Sequence, residues 1–303
     1  MNLSQPQPQA GASPRRRRAS NKGHLVVIGG AEDHDGECVI LSRFVELCGG
    51  ASARIAVLTC ASEFPQESGR QYARVFQRLG VESVELVGIH TRGEAAAADA
   101  TQPIKHCTGV FFTGGCQLRI CTILGGTPVE KLLKERHRKG LVVGGTSAGA
   151  AMMSDMMIAR GDSQTHPSVG IVELGYGLGF INDAVIDQHF AQRGRLGRLL
   201  SAVAQHPRHV GIGIDEDTAL IVQNRVAEVI GRGSVTIVDM HDSSFSDLAQ
   251  QTSRTDCLAL WNIRLHVLPA KYGFDLKKRK VLRPSAMQAP LTAEPSSSAP
   301  DAT

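Results

Sequence analysis

Short, continuous runs of apolar residues recur through the first half of the chain and predict buried β-strands. These runs occupy residues 24–30, 53–59, 81–89, 109–113 and 141–143. Between them apolar residues return at helical spacing, as Tyr72, Val75 and Leu79 do in the segment 65–79. Continuous apolar strands that alternate with amphipathic helices are typical of a parallel sheet covered on both faces. The pattern therefore predicts an α/β fold with a largely parallel central sheet and helices on both faces.

The apolar runs become shorter in the last third of the chain and follow one another closely. Residues 211–222 predict two short strands about an acidic turn, and further strands are expected at 226–230 and 235–238. We expect antiparallel hairpins here that extend the sheet towards the C-terminus, with a last strand at 261–268. No internal repeat interrupts this order, so residues 23–283 are interpreted as a single domain.

Both ends of the chain lack the apolar residues that a core requires. Residues 1–22 contain Arg15 to Arg18 and no acidic side chain, and residues 284–303 are rich in Pro, Ser and Ala. We expect both segments to be disordered. A contact of the arginine run with nucleic acid or an anionic polymer is the alternative to a solvated tail.

Charge and cysteine content narrow the classes of function. The formal net charge is +4, but residues 23–283 carry nearly equal numbers of basic and acidic side chains, which argues against a nucleic-acid-binding face. The seven cysteines form no C-x-x-C pair and no zinc spacing, so no metal site is expected. Reduced thiols, no secretory signal and no apolar run of about 20 residues favour a cytoplasmic enzyme with no membrane association.

A G-x-S-x-G motif follows the strand at 141–143. In Gly145-Thr-Ser-Ala-Gly149, Ser147 stands between an apolar run and a helical segment that begins at Ala150. A strand, a tight turn and a helix are the context of a nucleophile elbow, in which small residues let the strand and the helix pack closely. The backbone N–H of Ala148 would then help to hold an oxyanion. The alternative is a glycine-rich turn in which the serine caps the helix.

Glycine pairs follow three of the predicted strands, at 29–30, 114–115 and 144–145. Ligands of open α/β sheets bind at this carboxyl edge, so we expect the site there. A dinucleotide loop at Gly29-Gly30-Ala31 is disfavoured because the G-x-G-x-x-G spacing is missing.

His189 is the candidate general base for Ser147. It ends the apolar run Val185-Ile186, which would place it at the same sheet edge. A serine hydroxyl needs such a base because it is a poor nucleophile at neutral pH. A hydrogen-bonded surface histidine is the alternative reading of an isolated histidine.

Five stretches together resemble the cyanophycinases, serine peptidases related to dipeptidase E within the glutamine-amidotransferase-like α/β folds. They run in order over residues 24–240. The stretches are Gly29-Gly-Ala-Glu-Asp33, Phe111-Phe-Thr-Gly-Gly-Cys-Gln-Leu-Arg-Ile120, Gly144-Gly-Thr-Ser-Ala-Gly-Ala-Ala151, Ile186-Asp-Gln-His-Phe190 with Arg193-Gly-Arg-Leu-Gly-Arg198, and Gly213-Ile-Asp-Glu-Asp-Thr218.

The resemblance implies a homodimeric exopeptidase that hydrolyses cyanophycin, an arginine-bearing poly-aspartate, to β-Asp-Arg dipeptides without metal or cofactor. Ser147 would be the nucleophile and His189 the base, with the oxyanion on Ala148 and on Gly114 or Gly115. Arginines suit the aspartyl carboxylates of this substrate, and Asp187 would bind a guanidinium group. The positions that match substrate contacts are Gln117, Asp187, Gln188, Arg193, Arg195 and Arg198.

The chain departs from the family at two positions. Cys116 stands where an acidic residue usually follows Gly114-Gly115, which bears on one substrate contact. The carboxylate that orients the histidine is expected shortly after the elbow helix, where the chain offers Asp162, with Gln164 nearby. An aspartate would stabilise the imidazolium, whereas a glutamine could orient the ring only through its carbonyl oxygen.

Two other functions are compatible with these motifs. One is a dipeptidase-E-like peptidase for short aspartyl or isoaspartyl peptides. The other is an impaired homologue that binds the polymer without cleaving it. The trio Arg193, Arg195 and Arg198 favours the polymer, because several carboxylate-binding groups suit an extended acidic chain.

Overall fold

The structure is a computed structural model that describes residues 22–163, 166–242 and 245–287. The predictions for the N-terminal tail up to residue 21, for Gln164 and for the C-terminal tail from residue 288 lie outside the described residues. The first four residues of the predicted C-terminal tail, Pro284–Met287, form a short helix.

Strands and helices alternate up to the nucleophile motif, and strands dominate after it. The described helices are α1 (Val39–Leu47), α2 (Pro65–Arg78), α3 (Arg92–Ala96), α4 (Gln117–Leu124), α5 (Pro128–Arg138), α6 (Ala148–Ala151), α7 (Leu196–Gln205) and α8 (Pro284–Met287). The described strands are β1 (Leu25–Ile28), β2 (Arg54–Leu58), β3 (Ser83–Val87), β4 (Gly109–Phe112), β5 (Val142–Thr146), β6 (Met156–Gly161), β7 (Val172–Tyr176), β8 (Ala184–Gln188), β9 (Val210–Ile214), β10 (Thr218–Gln223), β11 (Val226–Gly231), β12 (Ser234–Asp239), β13 (Phe245–Ser246), β14 (Leu260–Trp261), β15 (Arg264–Pro269), β16 (Gly273–Asp275) and β17 (Lys280–Leu282).

A nine-stranded mixed sheet forms the centre of the molecule, in the order β17-β16-β11-β10-β1-β5-β4-β2-β3. Strands β1, β5, β4, β2 and β3 are parallel, whereas β10, β11, β16 and β17 are antiparallel to their neighbours. Both the parallel centre and the antiparallel extension confirm the predicted fold class.

Strand β1 lies at the middle of the sheet and is buried on both faces. Leu25 and Val27 pack into one hydrophobic cluster, whereas Val26 and Ile28 pack into a second cluster on the other face. Since successive side chains of a strand point to opposite faces, a strand covered on both sides needs an uninterrupted apolar run. This requirement explains why the strands were recognisable from the sequence.

An aromatic cluster fixes helix α2 against the second face of the sheet. The rings of Phe44, Phe76 and Phe111 have centroids 5.3–5.6 Å apart. The ring of Tyr72 lies 4.7 Å from that of Phe111 and is tilted by 40° to it, which holds the Tyr72 hydroxyl near the carboxyl end of the sheet.

A second, four-stranded sheet has the order β15-β12-β9-β8, and helix α7 packs against it. The strand of His189, β8, therefore belongs to a different sheet from the strand of Ser147, which corrects the expectation that both end at one edge. Strand β12 also pairs in this sheet rather than extending the central one. The strand predicted at 261–268 is seen as β14 and β15, and two more strands follow it.

No helix in the described part of the chain is both long and apolar enough to cross a membrane.

Candidate active site

Ser147 lies on a sharp turn between β5 and helix α6. Its backbone angles, φ 53° and ψ −110°, fall outside the usual regions for a residue with a side chain. The turn requires close packing, since a Cβ atom on Gly145 would lie 2.4 Å from the carbonyl oxygen of Gly149. The N–H of Ser147 donates to the carbonyl of Ile28 at 3.0 Å, which ties the turn to the end of β1. This is the geometry of a nucleophile elbow.

His189 follows β8 and reaches Ser147 from the second sheet. Its backbone has φ 47°, and its N–H donates to the carbonyl of Gly29 at 2.8 Å. The imidazole Nε2 is 3.1 Å from Oγ of Ser147. The two side chains border the same cavity, although their strands belong to different sheets. The structure therefore brings the predicted nucleophile and base together.

Glu216 is the carboxylate at the other nitrogen of the imidazole. Its Oε1 is 2.6 Å from Nδ1 of His189. Glu216 lies in the acidic turn between β9 and β10, and the side chain of Gln192 accepts a hydrogen bond from its backbone N–H at 3.0 Å. With Nδ1–H donated to the carboxylate, Nε2 is left as the acceptor for the serine proton.

Asp162 does not occupy the position expected for it. It follows β6, and its backbone N–H donates to the carbonyl of Ile171 at 3.2 Å, whereas His189 contacts Glu216. The expected position of the carboxylate was after the elbow helix, but the chain supplies it from a turn 27 residues beyond the histidine. The signal for it in the sequence is the acidic turn in Gly213-Ile-Asp-Glu-Asp-Thr218, one of the five stretches that resemble the family.

The environment keeps His189 neutral near neutral pH. Burial lowers the pKa of the imidazole, and this outweighs the opposing effect of the hydrogen bond with Glu216. The positive charges of Arg193 and Arg195 also act to lower the pKa of His189. A neutral imidazole is the form that accepts a proton, so the electrostatics suit a general base.

Gln188 competes for the serine proton but is the weaker acceptor. Its Oε1 is 3.4 Å from Oγ of Ser147, against 3.1 Å for Nε2 of His189. The same Oε1 already accepts a hydrogen bond from Nη1 of Arg195 at 2.9 Å. That bond also fixes which end of the amide is the oxygen, because an NH₂ group cannot accept it.

A buried ion cluster lies behind Gln188. Asp187 is only 1% exposed, and Arg198 binds both of its carboxylate oxygens, with Nε to Oδ2 at 2.6 Å. Nη1 of Arg195 lies 3.4 Å from Oδ1 of Asp187, and both guanidinium groups are buried. The expectation that Asp187 binds a guanidinium group of the substrate is therefore not supported, because its oxygens are occupied within the protein.

Two further predicted contact residues differ in their availability. The side-chain nitrogen of Gln117 donates to the carbonyls of Ile158 and Ala159, at 2.9 and 3.2 Å, so it positions β6. Arg193 is exposed and lies close enough to His189 to affect its pKa. Of the predicted arginine trio, Arg193 is the one whose charge faces solvent beside the site.

Three backbone N–H groups next to Ser147 have no acceptor among the described residues. They belong to Ala148, Gly114 and Gly115. A Cβ atom built on Gly114 would lie 3.5 Å from Cβ of Ser147, which shows how closely the two loops approach. Unpaired donors at this position are what a developing oxyanion requires.

A cavity of about 560 Å³ opens beside Ser147 at the carboxyl end of the parallel strands. The loops after β1, β2, β4 and β5 line it, together with His189. Cys116 lies on its wall and is exposed. The location agrees with the expectation from the glycine pairs that the site lies at this edge.

Comparison with known proteins matches this chain to one family. Residues 25–230 match peptidase family S51. The chain is 41% identical to the cyanophycinase of Trichormus variabilis, covering 91% of this chain and 93% of that protein. It is also 41% identical to the cyanophycinase of Geminocystis herdmanii, covering 88% of this chain and 97% of that protein.

A solved structure supports the fold independently. A peptidase from an acI-B1 Actinobacterium superposes with a TM-score of 0.62 over 84% of this chain and 97% of that chain, at 18% identity. The profile match and the two relatives cover most of the described residues, including the elbow and the turn of Glu216. The chain belongs to peptidase family S51.

Proposed function

We propose that the protein is a serine exopeptidase that hydrolyses cyanophycin to β-Asp-Arg dipeptides through an acyl-enzyme on Ser147. The observation that carries this proposal is the continuous contact from Ser147 through His189 to Glu216, with distances of 3.1 and 2.6 Å. Two relatives that are 41% identical over about nine tenths of the chain are cyanophycinases, which supports the choice of polymer.

In the first step Oγ of Ser147 attacks the scissile carbonyl carbon while Nε2 of His189 takes the hydroxyl proton. The imidazolium that forms is stabilised by Glu216, whose carboxylate accepts the hydrogen bond from Nδ1–H. The same proton then passes from Nε2 to the leaving amine, and the C–N bond breaks. The product of this step is an ester on Ser147.

The backbone groups of the elbow stabilise the charge that develops on the carbonyl oxygen. The N–H of Ala148 and one N–H of Gly114 or Gly115 are the donors, each typically worth about 3 kcal/mol of barrier. In the second step His189 takes a proton from water, the water oxygen attacks the ester carbon, and Ser147 leaves with that proton. The free enzyme is restored without a metal or cofactor in either step.

The free carboxylates of the substrate, which are the α-carboxylates of its arginines and of its C-terminal aspartate, would be bound by a cation near the reacting atoms. Arg193 would serve this purpose, since it is exposed and its charge acts on His189. Cytoplasmic location and a homodimeric state remain predictions of the sequence.

Incubation of the purified protein with cyanophycin granules tests the proposal, with released dipeptide identified by mass spectrometry. We expect β-Asp-Arg as the product, and loss of its release in Ser147→Ala with an unchanged melting temperature. Cleavage of short isoaspartyl peptides without attack on granules would instead indicate a dipeptidase. Binding of granules without release of dipeptide would indicate an impaired homologue.

A further inference from the structure

The cavity beside Ser147 is lined by acidic side chains. Among the described residues that line it are two carboxylates, Glu32 and Glu63, and neither lysine nor arginine. This composition contrasts with the surroundings of His189, where the charges of Arg193 and Arg195 act on the imidazole. A cavity of this charge favours a positively charged group of the ligand.

Glu32 is the buried acid in the wall of this cavity. Its Oε1 accepts a hydrogen bond from the hydroxyl of Tyr72 at 2.6 Å, and its Oε2 accepts one from Oγ1 of Thr146 at 2.6 Å. Thr146 immediately precedes the nucleophile, so the carboxylate is held one residue from Ser147. Glu32 is 6% exposed, and a carboxylate in so dry a place exerts a strong field on a nearby cation.

The neighbours of Glu32 stabilise its charge without neutralising it. Burial alone would raise the pKa of this carboxyl, but interactions with His34, Thr146 and Tyr72 together hold it below the ordinary value. Nδ1 of His34 lies 2.7 Å from the side-chain nitrogen of Gln71 and accepts its hydrogen bond, so the proton of a neutral His34 is on Nε2. That Nε2 is 3.7 Å from Oε1 of Glu32 and forms no hydrogen bond with the described residues.

Two more features of the cavity suit a planar, multi-donor cation. Thr113 is 1% exposed and borders the cavity, yet its Oγ1 has no hydrogen-bond partner among the described residues. Phe64 borders the cavity with 68% of its surface exposed, next to Glu63. A guanidinium group donates five hydrogen bonds in a plane and stacks on aromatic faces, so it matches an unpaired acceptor, two carboxylates and an open ring.

Asp187, the other acid near the site that could bind a guanidinium group of the ligand, is already part of the buried ion cluster. Asp187 is bound by Arg198 on both oxygens and approached by Arg195, so it has no free acceptor for a ligand. A divalent metal is a poorer match to the cavity, because no three His, Cys, Asp or Glu side chains of the described chain converge as ligands. An organic cation delivered by the substrate remains the matching ligand.

We propose that this cavity binds the guanidinium group of the arginyl side chain next to the scissile bond. In this site Glu32 supplies a buried negative charge, and Oγ1 of Thr113 supplies a hydrogen-bond acceptor on the wall. Glu63 and Phe64 form the exposed rim of the cavity. The proposal rests on the proposed function, because cyanophycin supplies the guanidinium group. It makes Glu32 and Glu63 specificity-determining residues rather than catalytic ones, since neither contacts the nucleophile or the base.

Calorimetric titration with two dipeptides tests the proposal without requiring turnover. β-Asp-Arg is compared with β-Asp-citrulline, which has the same shape but a neutral ureido group. We expect the wild-type protein to bind the arginyl dipeptide at least about tenfold more tightly, and Glu32→Gln to reduce this preference to about threefold or less. Glu82→Gln is the matched control, because Glu82 is half-exposed and precedes β3 at the opposite end of the parallel strands. It should keep the full preference.

If Glu32→Gln does not fold, two variants at exposed positions test whether the cavity binds the guanidinium group. Glu63→Gln and Phe64→Ala should each reduce the preference for the arginyl dipeptide several-fold with an unchanged melting temperature. Equal binding of both dipeptides by the wild-type protein, or no binding of either at millimolar concentration, overturns the proposal. So does an undiminished preference in the folded variants.

The granule assay separates failure of this proposal from failure of the proposed function. If β-Asp-Arg is released from granules but the two dipeptides bind equally well, the guanidinium-binding role of the cavity is rejected. The assignment as a cyanophycin-degrading peptidase is then retained. Selective binding of the arginyl dipeptide without any release from granules has the opposite meaning. In that case the cavity recognises guanidinium, and the assignment as a cyanophycin-degrading enzyme is wrong.

Discussion

Oε1 of Glu216 lies 2.6 Å from Nδ1 of His189, although no local sequence pattern connects the two segments that carry these residues. The carboxylate comes from the turn between β9 and β10, and the imidazole follows β8. These strands are parallel neighbours in the second sheet, so the pairing of β8 with β9 sets the contact. A carboxylate held in this way fixes the ring and stabilises its protonated form.

Replacement of Glu216 by glutamine tests this role. We expect Glu216→Gln to lower kcat about 10²- to 10⁴-fold with little change in KM, because the imidazolium loses its counter-charge only during the reaction. Steady-state kinetics on a soluble cyanophycin oligomer measure the effect. Asp162→Asn is the comparison and should retain nearly full activity. A large loss in Asp162→Asn, with none in Glu216→Gln, would restore the assignment made from sequence alone.

Gly30 leaves the space in which the imidazole sits. Its φ is 104°, and a Cβ atom there would lie 2.3 Å from Cε1 of His189. We expect Gly30→Ala to displace the ring and to lower kcat on the order of 10²-fold, since misplacement by about 1 Å has that effect.

The matched variant for backbone strain is Gly80→Ala. Gly80 also has a positive φ, 78°, but nothing lies within 4 Å of its Cβ position. Both variants should lose about 1–2 kcal/mol of stability from strain, measured by denaturant unfolding, whereas activity should fall only in Gly30→Ala. Equal activity in the two variants would show that the ring does not need this space.

The pH dependence of kcat/KM should report the depressed pKa of His189. Since burial and two arginines lower the pKa, the acid limb should lie below the ordinary value of 6.5. Removing the charge in Arg193→Gln takes away a cation that disfavours the imidazolium, so the limb should move to higher pH. Glu216→Gln should move it to lower pH. A pH profile measured with each variant checks the direction of these shifts. A shift of the acid limb in the opposite direction in either variant contradicts the proposed electrostatics of His189.

The cluster of Asp187, Arg195 and Arg198 should affect stability more than substrate binding. Asp187→Asn leaves two buried guanidinium groups without their anion, and removal of one partner of a buried pair typically costs about 3–5 kcal/mol. We expect a loss of this size in denaturant unfolding. A variant of unchanged stability and raised KM would mean that Asp187 faces the substrate after all.

The elbow and the central sheet were predictable because their signals are local. Gly145 and Gly149 must be small for β5 and α6 to touch, and β1 must be apolar throughout because both of its faces are covered. Each requirement concerns residues that are close together in the sequence. The fold class followed from such patterns, whereas His189 reaches Ser147 from the second sheet and not from the shared edge that the sequence indicated.

The remaining parts of the site depend on topology, which periodicity does not encode. The apolar run before His189 suits either sheet equally well, so the sequence did not show that β8 pairs with β9. The position of Glu216 depends on that pairing. Likewise, the residue type of Asp187 matched a substrate contact, whereas its burial between two arginines is a property of the folded chain.

Reaction of the protein with a fluorophosphonate, read by intact and peptide mass spectrometry, tests the activation of Ser147 most directly. We expect a single adduct on Ser147 that is absent in Ser147→Ala and forms far more slowly in His189→Gln. An adduct on a different residue, or labelling of Ser147 at the same rate without the imidazole, would contradict it.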